Sequence, residues 1–212
     1  IRLPFLIALR RRGYQPEAFV KYALSVGVTL VDKHVDKDEF FKVLNAFNKE
    51  IIDPKSDRYF FIYNPTKIKI ENAPKQEIEL DLYPDKRKGG RFFSTADKFY
   101  LTEEDFKSLK DNELYRLMDC LNFVKKGDSF IFDSLDYNKF KEKGKKIMHW
   151  LPVSDNLVQV KVLMPDNTFI EGLGEEGLRN VDFGKIVQFE RFGFCRLDNE
   201  KGNKLIFWFS HK

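Results

Sequence analysis

The side chains best placed for chemistry are cations. Arg58, in Asp57-Arg58-Tyr59-Phe60-Phe61, stands at the mouth of a strand, where a guanidinium is presented to a partner. Lys86, Arg87, Lys88 and Arg91 crowd the stretch Asp85-Lys86-Arg87-Lys88-Gly89-Gly90-Arg91. That stretch reads either as an ordinary solvated loop or as a clamp on a nucleic-acid backbone. In the second case phosphates release counterions to Lys and Arg, and glycines let the backbone approach closely. Arg91 is the best candidate there for a planar, two-pronged contact. Arg116 and Glu171 complete the set. Unpaired bases are splayed, stacked on aromatic rings and hydrogen-bonded along their edges, and these side chains at the mouths of barrels would suit that task. Each also reads as a member of a surface ion pair.

Catalytic groups are hard to find. His34, His149 and His211 are the three histidines, and they lack the paired spacing of a zinc site. Cys120 and Cys195 form neither a disulfide framework nor a metal motif, and read as small apolar residues in strands of a protein kept in a reducing cytosol. No glycine-rich loop opens a helix after a strand; Gly89-Gly90 lies between strands and more simply supplies positive backbone angles. The expectation is no catalytic residue and no metal ligand.

The rest of the chain must position the cations. A length of 212 residues suits one large or two small domains, and 22 phenylalanines point to aromatic-filled interiors rather than disorder. No apolar run approaches the roughly 18–20 residues of a membrane span, and no signal peptide is visible. The first residue is Ile, which marks the chain as part of a longer one or as lacking its start. The net charge of +4 is modest, but its distribution is lumpy.

The stretch from Glu50 to Pro74 divides two kinds of pattern. Before it, apolar residues recur at helical spacing. Leu3 to Arg12 is a short helix opened by Pro4, and Pro16 opens a second that Gly27 stops in a left-handed cap. Asp36 and Glu39 form a capping box for a third helix, whose stripe is Phe40, Leu44, Phe47 and Ile51. After it, short strands with turn signals predict a barrel or sandwich, and the length suggests two barrels. Pro84 to Gly90 is expected as a turn loop, Leu114 to Val124 as strand, Lys139 to Lys146 as a lysine-dense link and Ile147 to Leu151 as strand. Phe189 to Phe194 reads as a core hairpin in which Glu190 and Arg191 pair locally. Arg10, Arg11 and Arg12 point about 100° apart on a helix, so they cannot share one ligand.

Four landmarks carry a resemblance over nearly the whole chain. They are Leu9-Arg10-Arg11-Arg12-Gly13, the run Ile51-Ile52-Asp53-Pro54 with Arg58-Tyr59-Phe60 and Pro65, His149-Trp150, and Phe189 to Phe194. Together they resemble the C-terminal anticodon-binding region of archaeal-type glutamyl-tRNA synthetases, class I enzymes related to the glutaminyl-tRNA synthetases. The resemblance implies a mainly β fold: a helical connector over 1–57, a proximal barrel from 58–80 plus 148–212, and a distal barrel over 81–147. It implies tRNA for glutamate as partner, with tRNA for glutamine left open. The catalytic domain of the same chain would lie upstream, where ATP and Mg²⁺ are used, and the location would be cytoplasmic. The catalytic signatures of such enzymes are absent here, and Arg2-Leu3-Pro4 resembles the segment that follows the second of them. The 212 residues alone should be inactive. The resemblance further implies that Arg58 contacts an anticodon base, that Arg91 lies by the anticodon loop and that Arg116 reads the first anticodon base. Glu171 would stand where glutamine enzymes carry Gln. Short loops, such as Met164 to Ile170, favour the glutamate enzyme; the glutamine enzyme and a protein-interaction module without an RNA role are the alternatives.

Overall fold

A computed structural model describes residues 5–27, 30, 32 and 34–212. Three helices come first: α1 (Leu6–Arg11), α2 (Pro16–Val26) and α3 (Lys37–Ile52). Strands β1 (Asp57–Tyr59), β2 (Phe61–Tyr63), β3 (Pro65–Glu71), β4 (Gln76–Tyr83), β5 (Arg87–Thr95) and β6 (Lys98–Thr102) follow, then α4 (Glu103–Lys107). Next come β7 (Leu114–Leu117), β8 (Asn122–Lys126), β9 (Ser129–Ser134), α5 (Tyr137–Lys143) and β10 (Gly144–Met148). The chain ends with β11 (Leu151–Pro152), β12 (Val158–Leu163), β13 (Phe169–Gly174), β14 (Ile186–Phe189), β15 (Gly193–Lys201) and β16 (Lys204–Phe209).

The helices form as their spacing predicts. Pro16 sits at the start of α2, where its missing N–H costs nothing. Asp36 caps α3 by accepting from the Asp38 N–H at 2.8 Å. Gly27 ends α2 with φ 74° but an extended ψ of 173°, so the cap is not the left-handed one expected. Pro4, the expected opener of α1, lies outside the described residues, as do Arg2 and Leu3. Leu9, Tyr14, Ala18 and Leu44 form the small core that no single helix here could bury alone.

The strands make two sheets of seven. One runs β1-β14-β15-β16-β12-β13-β2, and its two edges, β1 and β2, are separated in the chain only by Phe60. The other runs β10-β7-β8-β9-β3-β6-β11, and its edges, β10 and β11, are separated only by His149-Trp150. Each sheet therefore curls until its first and last strands are chain neighbours, which leaves little exposed edge. The two closure points meet: the Phe60 ring lies 6.1 Å from both His149 and Trp150. Tyr59 and Phe61 point into the first core while Phe60, by strand alternation, enters the second. The β4–β5 hairpin covers this junction, with Phe93 5.2 Å from Trp150.

Several expectations need correction. Strands β3 and β11, expected with the first barrel, are hydrogen-bonded in the second sheet. Pro84 to Gly90 is not a loop: β5 begins at Arg87, and only 84–86 turn. Gly89 and Gly90 stay in the strand at φ 68° and 96°, angles that a side chain would resist. Leu114 to Val124 is a hairpin that turns at 118–121, so Cys120 lies in a turn, not a strand. Lys139 to Lys146 is not a linker, because it forms the end of α5 and the start of β10. Strand β10 stops at Met148, short of the expected Leu151.

Candidate nucleic-acid interface

Arg58 and Gln188 sit opposite each other in the parallel pair β1–β14, so their side chains share one face. Their neighbours Tyr59, Val187 and Phe189 fill the core, which turns Arg58 and Gln188 away from it. Both carry unmet hydrogen-bonding capacity: Arg58 Nε and Gln188 Oε1 are buried and have no partner among the described residues. Asp53 Oδ1 is in the same state, and lies 3.9 Å from the Arg58 guanidinium, beyond hydrogen-bond range. A buried donor beside a buried acceptor is costly unless something supplies the missing partners.

Arg58 is held by packing. Its guanidinium lies 5.1 Å from the centre of the Tyr83 ring, which also meets Arg87 at 4.9 Å and Lys86 at 5.8 Å. The arginine opens onto a groove of about 500 Å³. Glu190 belongs to the same wall; Leu80, Asp81 and Arg91 of the hairpin and Asp119 of the second barrel face it.

The expected site residues fall in different places. Arg91 is 4% exposed, because β5 turns it inward. Its guanidinium lies over Phe60 at 4.5 Å and is gripped by Glu175 at 2.6 Å and Glu190 at 2.9 Å. Burial works against its charge, but the two carboxylates prevail and raise its pKa. Glu175 also accepts from the Phe60 N–H. Arg91 therefore builds the groove rather than standing free in it. Arg87 bonds Asp57 at 2.6 Å and the carbonyls of Pro54 and Ser56 at 3.0 Å, so it ties the hairpin to β1. Lys86 and Lys88 are exposed. The Gly89 and Gly90 N–H groups donate to Asp81 and Glu79 of the facing strand, which occupies the donors a phosphate would need.

Arg116 is buried in the second barrel, bonding Asn122 Oδ1 at 2.8 Å and lying 5.3 Å from the Tyr137 ring. Glu171 is exposed on β13, paired with Lys161 at 2.9 Å and Lys204 at 3.0 Å, and lines a different cavity with Asn64 and Pro65. These two lysines lower its pKa. The four expected readers thus do not share one surface: Arg58 and Arg91 meet at the groove, Arg116 and Glu171 do not. Gln188 is not among the expected residues, because it precedes a run that reads as core. Its signal was the outward position in Ile186-Val187-Gln188-Phe189, and only the parallel pairing with β1 gives that meaning.

One further departure concerns an ion pair. Glu190 and Arg191 do not pair locally: Glu190 meets Arg91, and Arg191 meets Asp105 at 2.7 and 3.0 Å. Arg11 and Arg12 take separate partners, as their spacing on a helix predicts: Arg11 makes a two-pronged bond to Asp198, while Arg12 is buried against the carbonyls of Phe209 and Ser210.

A guanidinium near an aromatic ring, with an amide side chain opposite it on the paired strand, is an arrangement that suits planar, hydrogen-bonding ligands. Comparison with known proteins narrows the class. Residues 56–134 and 122–198 match two family models, each described as "tRNA synthetases class I (E and Q), anti-codon binding domain". The glutamate–tRNA ligase of Methanocaldococcus jannaschii is 37% identical over 217 aligned residues, covering 100% of this chain and 38% of that protein. The enzyme of the same name from Archaeoglobus fulgidus is 41% identical over 203 residues, 93% of this chain and 34% of that protein. That of Methanobrevibacter smithii is 35% identical, over 100% of this chain and 37% of its own length. The chain belongs to the anticodon-binding family of the class I glutamate and glutamine tRNA synthetases. It spans little more than a third of the length of these curated relatives.

Proposed function

We propose that this chain reads the anticodon of tRNA for glutamate, as the recognition part of a cytoplasmic glutamate–tRNA ligase whose catalytic domain joins glutamate to that tRNA. The observation that carries the reading is the Arg58–Gln188 pair. A donor and an acceptor, both unmet, stand side by side on paired strands, and Arg58 opens onto a groove, inside the region matched to the family. A nucleobase edge offers both complementary groups in one plane. Exposed Lys86 and Lys88 would meet nearby phosphates, which position the RNA without naming the base. ATP and Mg²⁺ would serve the catalytic domain. Among the described residues no group of three or more His, Cys, Asp or Glu could hold a metal ion. The role of the module is positioning: binding energy far from the reacting ester orients the acceptor end.

The test is binding of RNA stem–loops carrying the anticodon of tRNA for glutamate, of tRNA for glutamine, or a scrambled triplet. Arg58→Ala and Gln188→Ala should each weaken the cognate complex by about 1–3 kcal/mol, by analogy with two-pronged base contacts, and leave the fold intact. Parent-like affinity in both variants refutes the placement of the site. A salt dependence near zero, against roughly −0.7 in log–log slope per neutralised phosphate, would favour an apolar protein partner instead.

A further inference from the structure

The turn between β14 and β15 does more than reverse the chain. Its residues Glu190 and Arg191 are adjacent, yet they leave the first barrel toward two separate parts of its surroundings. Arg191 adopts φ 62°, a left-handed angle that a non-glycine residue seldom takes. That angle sends the two side chains apart. Glu190 accepts from Arg91 of the hairpin at 2.9 Å. Arg191 makes a two-pronged bond to Asp105 of α4, at 2.7 and 3.0 Å, and donates to His149 Nδ1 at 3.1 Å. Asp105 is also met by Lys146 of β10 at 2.7 Å. Both partner side chains are deep, since Arg91 and Asp105 are each 3% exposed. Removing Glu190 or Arg191 would leave a buried charge with one fewer counter-ion, Arg91 keeping only Glu175 and Asp105 keeping only Lys146 as its close ion pairs.

The groove depends on the same contacts. Arg58 and Glu190 form one wall, and the hairpin and Asp119 form the other. Glu190 is at once a wall residue and the bond to the opposite wall.

We propose that the Glu190–Arg191 turn is a two-ended fastener that fixes the two barrels and the hairpin relative to one another. It thereby sets the width of the Arg58 groove and its discrimination between bases. The discrimination half rests on the anticodon reading above; the fastening half does not. Glu190 and Arg191 act as positioning residues, because an edge-reading contact tolerates little displacement of donor from acceptor.

The experiment places one spin label on each barrel, at Lys126→Cys on β8 and Lys201→Cys on β15, both exposed positions. Cys120 and Cys195 are buried and escape labelling. Pulsed electron resonance on the RNA-free protein should give one narrow distance distribution for the parent. Arg191→Ala should broaden or shift it, and Arg191→Lys, which keeps the charge but loses the two-pronged bond, should fall between. Should Arg191→Ala fail to fold, Glu190→Gln, nearly the same shape without the charge, takes its place. In the binding assay, the preference for the glutamate anticodon over a single-base variant should fall on the order of tenfold, more than affinity for the variant falls. An unchanged distance distribution overturns the fastener. A changed distribution with an unchanged preference overturns its link to discrimination. If the parent itself shows no base preference, the anticodon reading fails, and the distance measurement alone decides the fastener.

Discussion

His149 sits where the second barrel closes, 3% exposed, and its surroundings make a quantitative prediction about pH. Its Nε2–H donates to the Phe61 carbonyl at 3.0 Å, which leaves Nδ1 to accept from Arg191 at 3.1 Å. That arrangement needs the neutral ring. Burial is the main force against a charge there, the Arg191 and Lys146 cations add to it, and Asp105, 4.0 Å away, only partly offsets them. The pKa is pushed down from its ordinary 6.5 to about 4. The folded state therefore refuses a proton that the unfolded chain takes up below pH 6.5. Stability is fully present above that pH and is lost as pH falls toward the folded value. Each pH unit in the window costs about 1.4 kcal/mol, so the loss between pH 6.5 and pH 4 is about 3 kcal/mol, a large part of an ordinary folding free energy. Urea unfolding of the parent and of His149→Gln at several pH values measures it. His211, whose pKa burial also lowers, contributes equally to both proteins and cancels in the difference. The stability of the parent should fall more steeply than that of the variant throughout the window. Parallel curves would show that His149 takes up its proton without strain, and that its contacts to Phe61 and Arg191 do not require neutrality.

Two other predictions follow from packing. A Cβ at Gly172 would lie 2.7 Å from Tyr63 Cα and against the Ile62 carbonyl of the paired strand, so Gly172→Ala should lose about 1–3 kcal/mol, read by urea unfolding; a neutral result would mean that β2 can draw back. Cys120, its thiol pushed up to about 12 by burial, and Cys195, raised well above its ordinary value by burial, should resist alkylation at about pH 8 in the folded protein. Both should react once it is unfolded, and native-state modification at the unfolded rate would contradict the buried placement.

Local rules made much of the fold legible. Pro16, Asp36 and Thr102 open helices where their chemistry says they should, and Thr102 accepts from the Asp105 N–H at 3.1 Å. Alternation in Glu77 to Leu82 marks a real strand. What stayed hidden depends on partners far away in sequence. Arg91 looks like a surface cation until Glu175 and Glu190, 84 and 99 residues on, close around it. Lys145 and Lys146 look like linker residues until β10 pairs with β7. Gln188 looks incidental until the parallel partner β1 brings Arg58 beside it. Each error takes a charged or polar residue for solvent-facing when long-range pairing decides which face it occupies.

The charges around the groove bear on what kind of contact it makes. A clamp for the RNA backbone would gather cations and exclude anions, since phosphates repel carboxylates as strongly as they attract lysines. This groove does the opposite, setting Glu79, Asp81, Asp119 and Glu190 around Arg58 and Arg91. The carboxylates neutralise Arg91 and discourage a phosphate from entering, while Arg58, at the same groove, can meet a neutral, planar group. A base splayed out of a loop is such a group, and its phosphates can remain outside with Lys86 and Lys88. The modest net charge of +4 is then no argument against RNA. Where the energy comes from edge contacts between rigid strands, discrimination depends less on total charge than on how firmly the walls are held.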